Sequence, residues 1–133
     1  MTRIVFAVIA GIILTAAVDQ AQAAGPSAPL STPEIKQSIS SGKKTIIFFL
    51  NPNGGPCRAQ NEVLTALLKD RKNNFNVAYV SALQQENQRA FYDYGVRGLP
   101  SLVLVDGSGK IDRVLPPGIQ SYDALAAALD GAK

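Results

Sequence analysis

Apolar and polar positions divide the chain into segments with different periods. Thr45 to Leu50, "TIIFFL", is apolar throughout and shows no alternation. It is rich in β-branched and aromatic residues, so it predicts a strand buried on both faces. Ahead of it, Ser31-Thr32-Pro33-Glu34 predicts a helix start. Ser31 and Glu34 have capping-box spacing, and Pro33 suits a first turn. Ile35 and Ile39 share a face of that helix, and Gly42 stops it. Farther on, Val63, Leu64, Leu67 and Leu68 recur at helical spacing up to Lys72. Phe75 to Ala82 predicts a second strand, in which Phe75, Val77 and Tyr79 alternate with Asn76, Ala78 and Val80. Gln84 to Tyr94 predicts a polar helix with Ala90, Phe91 and Tyr94 inward; of Tyr92 and Tyr94, helical spacing accounts for one and surface exposure for the other. Ser101 to Val105 is a third strand, Asp106-Gly107-Ser108-Gly109 a hairpin turn, and Lys110 to Leu115 the returning strand. Pro116-Pro117-Gly118 breaks that strand. Ser121 then caps a last helix with Tyr122, Leu125 and Leu129 inward.

The order is helix, strand, helix, strand, helix, strand, strand, helix. Strands joined through helices are expected to be parallel with right-handed crossovers, and the final hairpin adds one antiparallel edge. The expected architecture is an α/β fold: a four-stranded mixed sheet flanked by helices on both faces.

The N-terminus carries a different signal. Met1-Thr2-Arg3 gives a positive start, Ile4 to Val18 is an almost unbroken apolar run, and Ala21-Gln22-Ala23 has an A-x-A cleavage pattern. This predicts a signal peptide over 1–23, a Pro/Ala linker over 24–30 that runs extended and poorly ordered, and a domain over 31–133. The expected location is outside the cytoplasm, in the periplasm. An uncleaved membrane anchor is the alternative, although the run is shorter than the roughly 20 residues that span a bilayer.

Composition narrows the chemistry. The chain has 133 residues, 47% of them hydrophobic and 17% charged, which suits one globular domain. Net charge is +3, but Lys and Arg are scattered and form no nucleic-acid stripe. Lys43-Lys44 reads as a solvated strand start. There is no histidine and one cysteine, so neither a zinc site nor an internal disulfide is expected, and no cofactor is implied.

That cysteine stands in "Asn51-Pro52-Asn53-Gly54-Gly55-Pro56-Cys57", directly after the buried strand and opening a helix. The glycine pair before a helix suits an anion, but the Lys-Ser/Thr of a P-loop is absent. "Gly54-Gly55-Pro56-Cys57-Arg58" is similar to the C-G-P-C-[KR] active site of thioredoxins. "Tyr94-Gly95-Val96-Arg97-Gly98-Leu99-Pro100-Ser101" resembles the thioredoxin segment that leads into its cis-proline strand. The order of elements over 31–133 fits the same fold. The resemblance implies a thioredoxin-like thiol–disulfide oxidoreductase, with Cys57 at the resolving position and Gly54 at the place of the attacking cysteine. It implies that Asn53, Gly55 and Pro56 shape the site and that Leu99 and Pro100, joined by a cis bond, present a peptide-docking edge; a trans edge proline is the alternative. The implied partner is an extended or cysteine-containing protein substrate, with a membrane or periplasmic redox partner behind it.

Three positions depart from the family pattern. Gly54 replaces the first cysteine, Asn53 the preceding tryptophan, and Phe48 the buried acidic residue of the strand. Dithiol exchange needs two sulfurs, one to attack and one to release, so the chain is expected to be inactive or impaired in turnover. Three readings of Cys57 stand open: an inert buried residue, a thiol that forms one mixed disulfide with a partner or a second copy, and the resolving thiol of an oxidoreductase that lacks its nucleophile. A non-catalytic peptide-binding module is the alternative function. The expected state is a monomer, with a Cys57-linked dimer under the second reading.

Overall fold

The computed structural model describes residues 25–132, so the signal segment and the start of the linker lie outside the described residues. The elements are helix α1 (Pro33–Ser40), strand β1 (Thr45–Leu50), helix α2 (Gly55–Asp70) and strand β2 (Asn76–Ser81). A 3-10 turn (Gln85–Asn87) and helix α3 (Gln88–Asp93) follow. Strands β3 (Ser101–Val105) and β4 (Ile111–Val114) and helix α4 (Tyr122–Gly131) complete the domain.

The strands form one mixed sheet in the order β2-β1-β3-β4. β1 lies in its interior, which explains its unalternating sequence. Ile46 and Phe48 point into the core beneath α2 and α4, with Leu64, Leu67, Leu102, Leu104, Leu125 and Leu129. Ile47 and Phe49 point into the other core, beneath α1 and α3, with Ile35, Ala78, Val80, Ala90 and Val103. Phe49 packs edge-on against Phe91 at 5.2 Å and at a tilt against Tyr94 at 5.4 Å. Tyr94 also donates from its hydroxyl to the Pro29 carbonyl at 2.7 Å, whereas Tyr92 is exposed.

Several expectations are corrected. β2 is parallel to β1, but β3 is antiparallel to it, with Phe49 opposite Ser101 and Thr45 opposite Val105. The reason is length. α3 has six residues, about 9 Å at 1.5 Å per residue, and a six-residue strand is about 20 Å long. The chain therefore passes over β1 and re-enters the sheet on its far side from the end at which it left. The cap of α1 is Thr32, whose hydroxyl accepts from the Ile35 N–H at 3.1 Å. Ser31 instead donates to Asp93 at 2.6 Å, and Glu34 accepts the Tyr79 N–H on the outer edge of β2. The segment before α1 is extended but not loose: Ser27 bridges Lys110, and Ala28 is buried. Tyr122 is at the surface, where its hydroxyl donates to Asp70. Ser121 caps α4 by accepting from the Ala124 N–H.

The β3–β4 turn is organised by Asp106, which is buried. Its Oδ1 accepts from the Ser108 hydroxyl at 2.6 Å, the Ser108 N–H at 2.9 Å and the Lys110 N–H at 3.0 Å. Burial pushes the Asp106 pKa up, but these donors, with the Lys110 charge, more than offset it, and the net shift is downward. A lowered folded pKa stabilises the fold above the ordinary carboxylate range, and this contribution is lost as pH falls through the lowered value. We expect Asp106→Asn to cost about 1–3 kcal/mol in urea unfolding at pH 7, with a smaller gap at pH 3. An equal gap at both pH values would refute the electrostatic account.

Candidate functional site

The sheet brings the two motifs to one end. β1 runs up to Leu50, and β3 begins beside it at Ser101, so the loops 51–54 and 98–100 sit together. β4 is antiparallel to β3 and ends at the same place, where the Gly118 N–H donates to the Pro100 carbonyl at 3.1 Å. The 116–120 loop is thereby tied to Pro100. It is also tied to α2: the Gln60 amide donates to the Gln120 carbonyl at 3.2 Å and accepts the Gln120 N–H at 2.6 Å. Gln60 is fully buried, so this reciprocal pair satisfies an amide that would otherwise be costly.

Gly54 is the N-cap of α2, with extended backbone at φ −82° and ψ 132°. Gly55 and Pro56 form the first turn, where the missing Pro56 N–H leaves no hydrogen bond unmade. Asn51 holds the loop. Its carbonyl accepts the Gly54 N–H at 2.9 Å, its side-chain oxygen accepts the Asn53 N–H at 3.0 Å, and its own N–H donates to Cys57 Sγ at 3.4 Å. Cys57 is 3% exposed, whereas Asn53, Gly55 and Pro56 are exposed. The sulfur is thus shielded one turn inside the helix, packed in the core that also holds Phe48.

The space at Gly54 is informative. A Cβ built there meets the Asn51 carbonyl oxygen at 3.3 Å and Cys57 Sγ at 3.8 Å. Its φ is one any residue adopts. A disulfide sets Cβ and the far sulfur about 3 Å apart, a difference that a small rotation at Cys57 covers. A Cβ at position 54 needs the Asn51 carbonyl to give by a few tenths of an ångström, and a sulfur carried on it then lies near Cys57.

Leu99 and Pro100 are joined by a cis peptide bond. Pro100 is buried and Leu99 half-buried, and among the described residues no backbone hydrogen bond engages Leu99. Beside Cys57 opens a cavity of about 180 Å³ lined by Leu50, Pro52, Arg58, Asn61 and Tyr79. Burial first, and then the Glu34 carboxylate, push the Tyr79 phenol above its ordinary pKa, so it stays neutral. Its hydroxyl donates to Asn61 at 3.1 Å.

A larger cavity, about 410 Å³, lies at the opposite end beside Gly42, Lys43, Lys44 and Arg71. Its cations are engaged: Lys44 Nζ donates to the Leu129 carbonyl at 2.7 Å, and Arg71 pairs with Asp130 at 2.8 Å. They cap the C-terminal end of α4. Lys44 is therefore not simply solvated, and this cavity is not the site.

With this geometry in place, the comparisons with known proteins are decisive. A family model described as a thioredoxin-like domain matches residues 32–133. The chain belongs to the thioredoxin-like family. It is 27% identical over 80 residues to thioredoxin 1 of Nostoc sp., covering 60% of this chain and 73% of that protein. Its structure is similar to Fasciola hepatica thioredoxin, with a TM-score of 0.62, 22% identity and coverage of 74% of this chain and 91% of the other. It is also similar to the exposed lipoprotein thioredoxin of Streptococcus pneumoniae, with a TM-score of 0.58, 20% identity and coverage of 72% and 88%.

The sequence reading gives no role to Asn51 or Gln60, and marks Gly118 only as part of a strand break. Asn51 had a visible signal, an Asx residue at a strand end before proline. Gln60 and Gly118 act through partners 60 and 18 residues away, and no local pattern marks them. The geometry predicts that Gly54→Cys folds and, on mild oxidation, links the introduced sulfur to Cys57. Thiol titration should then find no free thiol before reduction and two after it. A persistent free Cys57 would show that the sulfur is out of reach.

Proposed function

We propose that this protein is an exported thioredoxin-like thiol–disulfide oxidoreductase relative whose site holds extended, cysteine-containing segments but does not cycle them. The observation that carries this reading is Gly54 at the N-cap of α2, where the family places its attacking sulfur, with the single thiol buried behind it. Helix N-terminal N–H groups stabilise a thiolate at the cap position. Here that position has no sulfur, and Cys57 alone cannot both attack a disulfide and release the product. Leu99 supports the binding half of the reading, since its free backbone groups suit strand addition by an extended peptide.

The test is thiol-driven reduction of a protein disulfide such as insulin. The chain as it stands is expected to match the background rate of the thiol alone. Gly54→Cys is expected to turn over many times. Turnover by the unmodified chain would overturn the claim of inactivity. A silent Gly54→Cys variant would favour the second reading, a binding module that has also lost the chemistry around the motif. Phe48 is the specific reason to hold that reading, because it fills with hydrocarbon the place where the family keeps an acid to assist proton transfer.

The positive start, apolar run and A-x-A pattern support export. Among structures of like fold, the exposed lipoprotein thioredoxin of Streptococcus pneumoniae is described as exposed. Secreted material is expected to begin at Ala24, and N-terminal sequencing reads this directly. A chain retaining Met1 in the membrane fraction would point to an anchor.

A further inference from the structure

A second concavity adjoins the Leu99–Pro100 edge. It measures about 250 Å³ and is lined by Tyr94, Val96, Arg97, Val103, Val114 and Pro117, among others. Gly98 and Ser101, the chain neighbours of Leu99 and Pro100, also line it. Pro117 precedes Gly118, whose N–H is bonded to Pro100. The backbone that presents the peptide edge is therefore also the wall of this groove.

The groove exists because one helical layer stops short. Val103 and Val114 are register partners, so their side chains share a face of the sheet. Val103 is buried beneath the α1/α3 layer, but Val114 is 64% exposed. α3 has only six residues, and the chain from Tyr94 to Gly98, with Tyr94, Val96 and Gly98 half-buried and Gly95 and Arg97 exposed, fills the space beside it incompletely. The lining is mainly apolar, with one charge, Arg97, at the surface. Ion pairs among the described residues are Arg71–Asp130 and Arg89–Asp93, which leaves Arg97 without an acidic partner.

We propose that this groove is a specificity pocket: it selects peptides that carry a branched apolar side chain and, two residues away on the same side of the strand, a carboxylate. The proposal rests on the peptide-docking reading given above. An extended segment places alternate side chains on one side at about 6.6–7 Å intervals. A chain paired at Leu99 therefore reaches the groove within a residue or two. The apolar side chain is buried against Val96, Val114 and Pro117, and the carboxylate meets Arg97, which adds discrimination by sign of charge.

The experiment uses two short dye-labelled peptides, identical except at two positions separated by one residue, Leu-Ser-Glu in one and Ser-Ser-Lys in the other. Binding to the full domain is read by fluorescence anisotropy. Burying a leucine predicts about tenfold tighter binding of the Leu-Ser-Glu peptide. Val114→Asp and Arg97→Glu should each abolish the preference. Both positions are exposed, and thermal melts confirm that the variants fold. Equal binding of the two peptides, or a preference that survives both substitutions, overturns the pocket while peptide docking stands. If neither peptide binds, docking at Leu99 fails and the pocket falls with it. The insulin assay of Gly54→Cys is independent of all these outcomes.

Discussion

The two-sided burial of β1 is the constraint on which the rest of the molecule depends. Thr45, Ile46, Ile47, Phe48 and Phe49 are all at most 1% exposed, so each side chain must find a partner layer. One sheet face cannot supply both layers. The chain responds by placing α2 and α4 on one side and α1 and α3 on the other, and by flanking β1 with β2 and β3. Burial of this kind contributes on the order of 1.5–3 kcal/mol for each large side chain. The single polar member, Thr45, has a buried hydroxyl with no hydrogen-bond partner among the described residues, a cost tolerated inside this apolar setting.

The site inherits its position from that strand. Because β1 ends in a rigid core, the loop that follows starts from a fixed point, and Asn51 closes it with three hydrogen bonds from or to its own groups. The cis-proline segment arrives at the same end because β3 runs antiparallel to β1. The 116–120 loop is then fastened to both, through Pro100 and Gln60. Three separate stretches of chain are thus held in one surface by hydrogen bonds, none of which uses a side chain at position 54. That independence explains how the scaffold stays intact with a glycine at position 54.

Much of this was legible in the sequence. The unalternating run in β1, the helical spacing of Leu64 and Leu67 and the hairpin turn before β4 each follow from local periodicity. The cysteine loop and the proline segment could be placed because strand and helix signals flank them. The direction of β3 was not legible, since it depends on whether six helical residues can span a sheet, and the sequence offered a longer polar segment from Gln84 to Tyr94. The cap of α1 was misplaced by one residue because Ser31 and Thr32 carry the same chemistry, and only the distant Asp93 decides between them. The tie between Gln60 and Gln120 joins residues 60 apart, and nothing local announces such a partner.

The burial of Cys57 has a bearing on how this protein matures. Its only thiol is open to solvent in the unfolded chain and nearly inaccessible once α2 packs on the sheet. In an oxidising compartment the sulfur therefore meets a race between collapse and capture by another thiol or disulfide. A chain that wins this race needs no isomerase, for there is no wrong intramolecular pairing to correct. Were the chain exported as proposed, any Cys57-linked dimer would mark molecules captured before α2 packed on the sheet, so its fraction would act as a clock for folding.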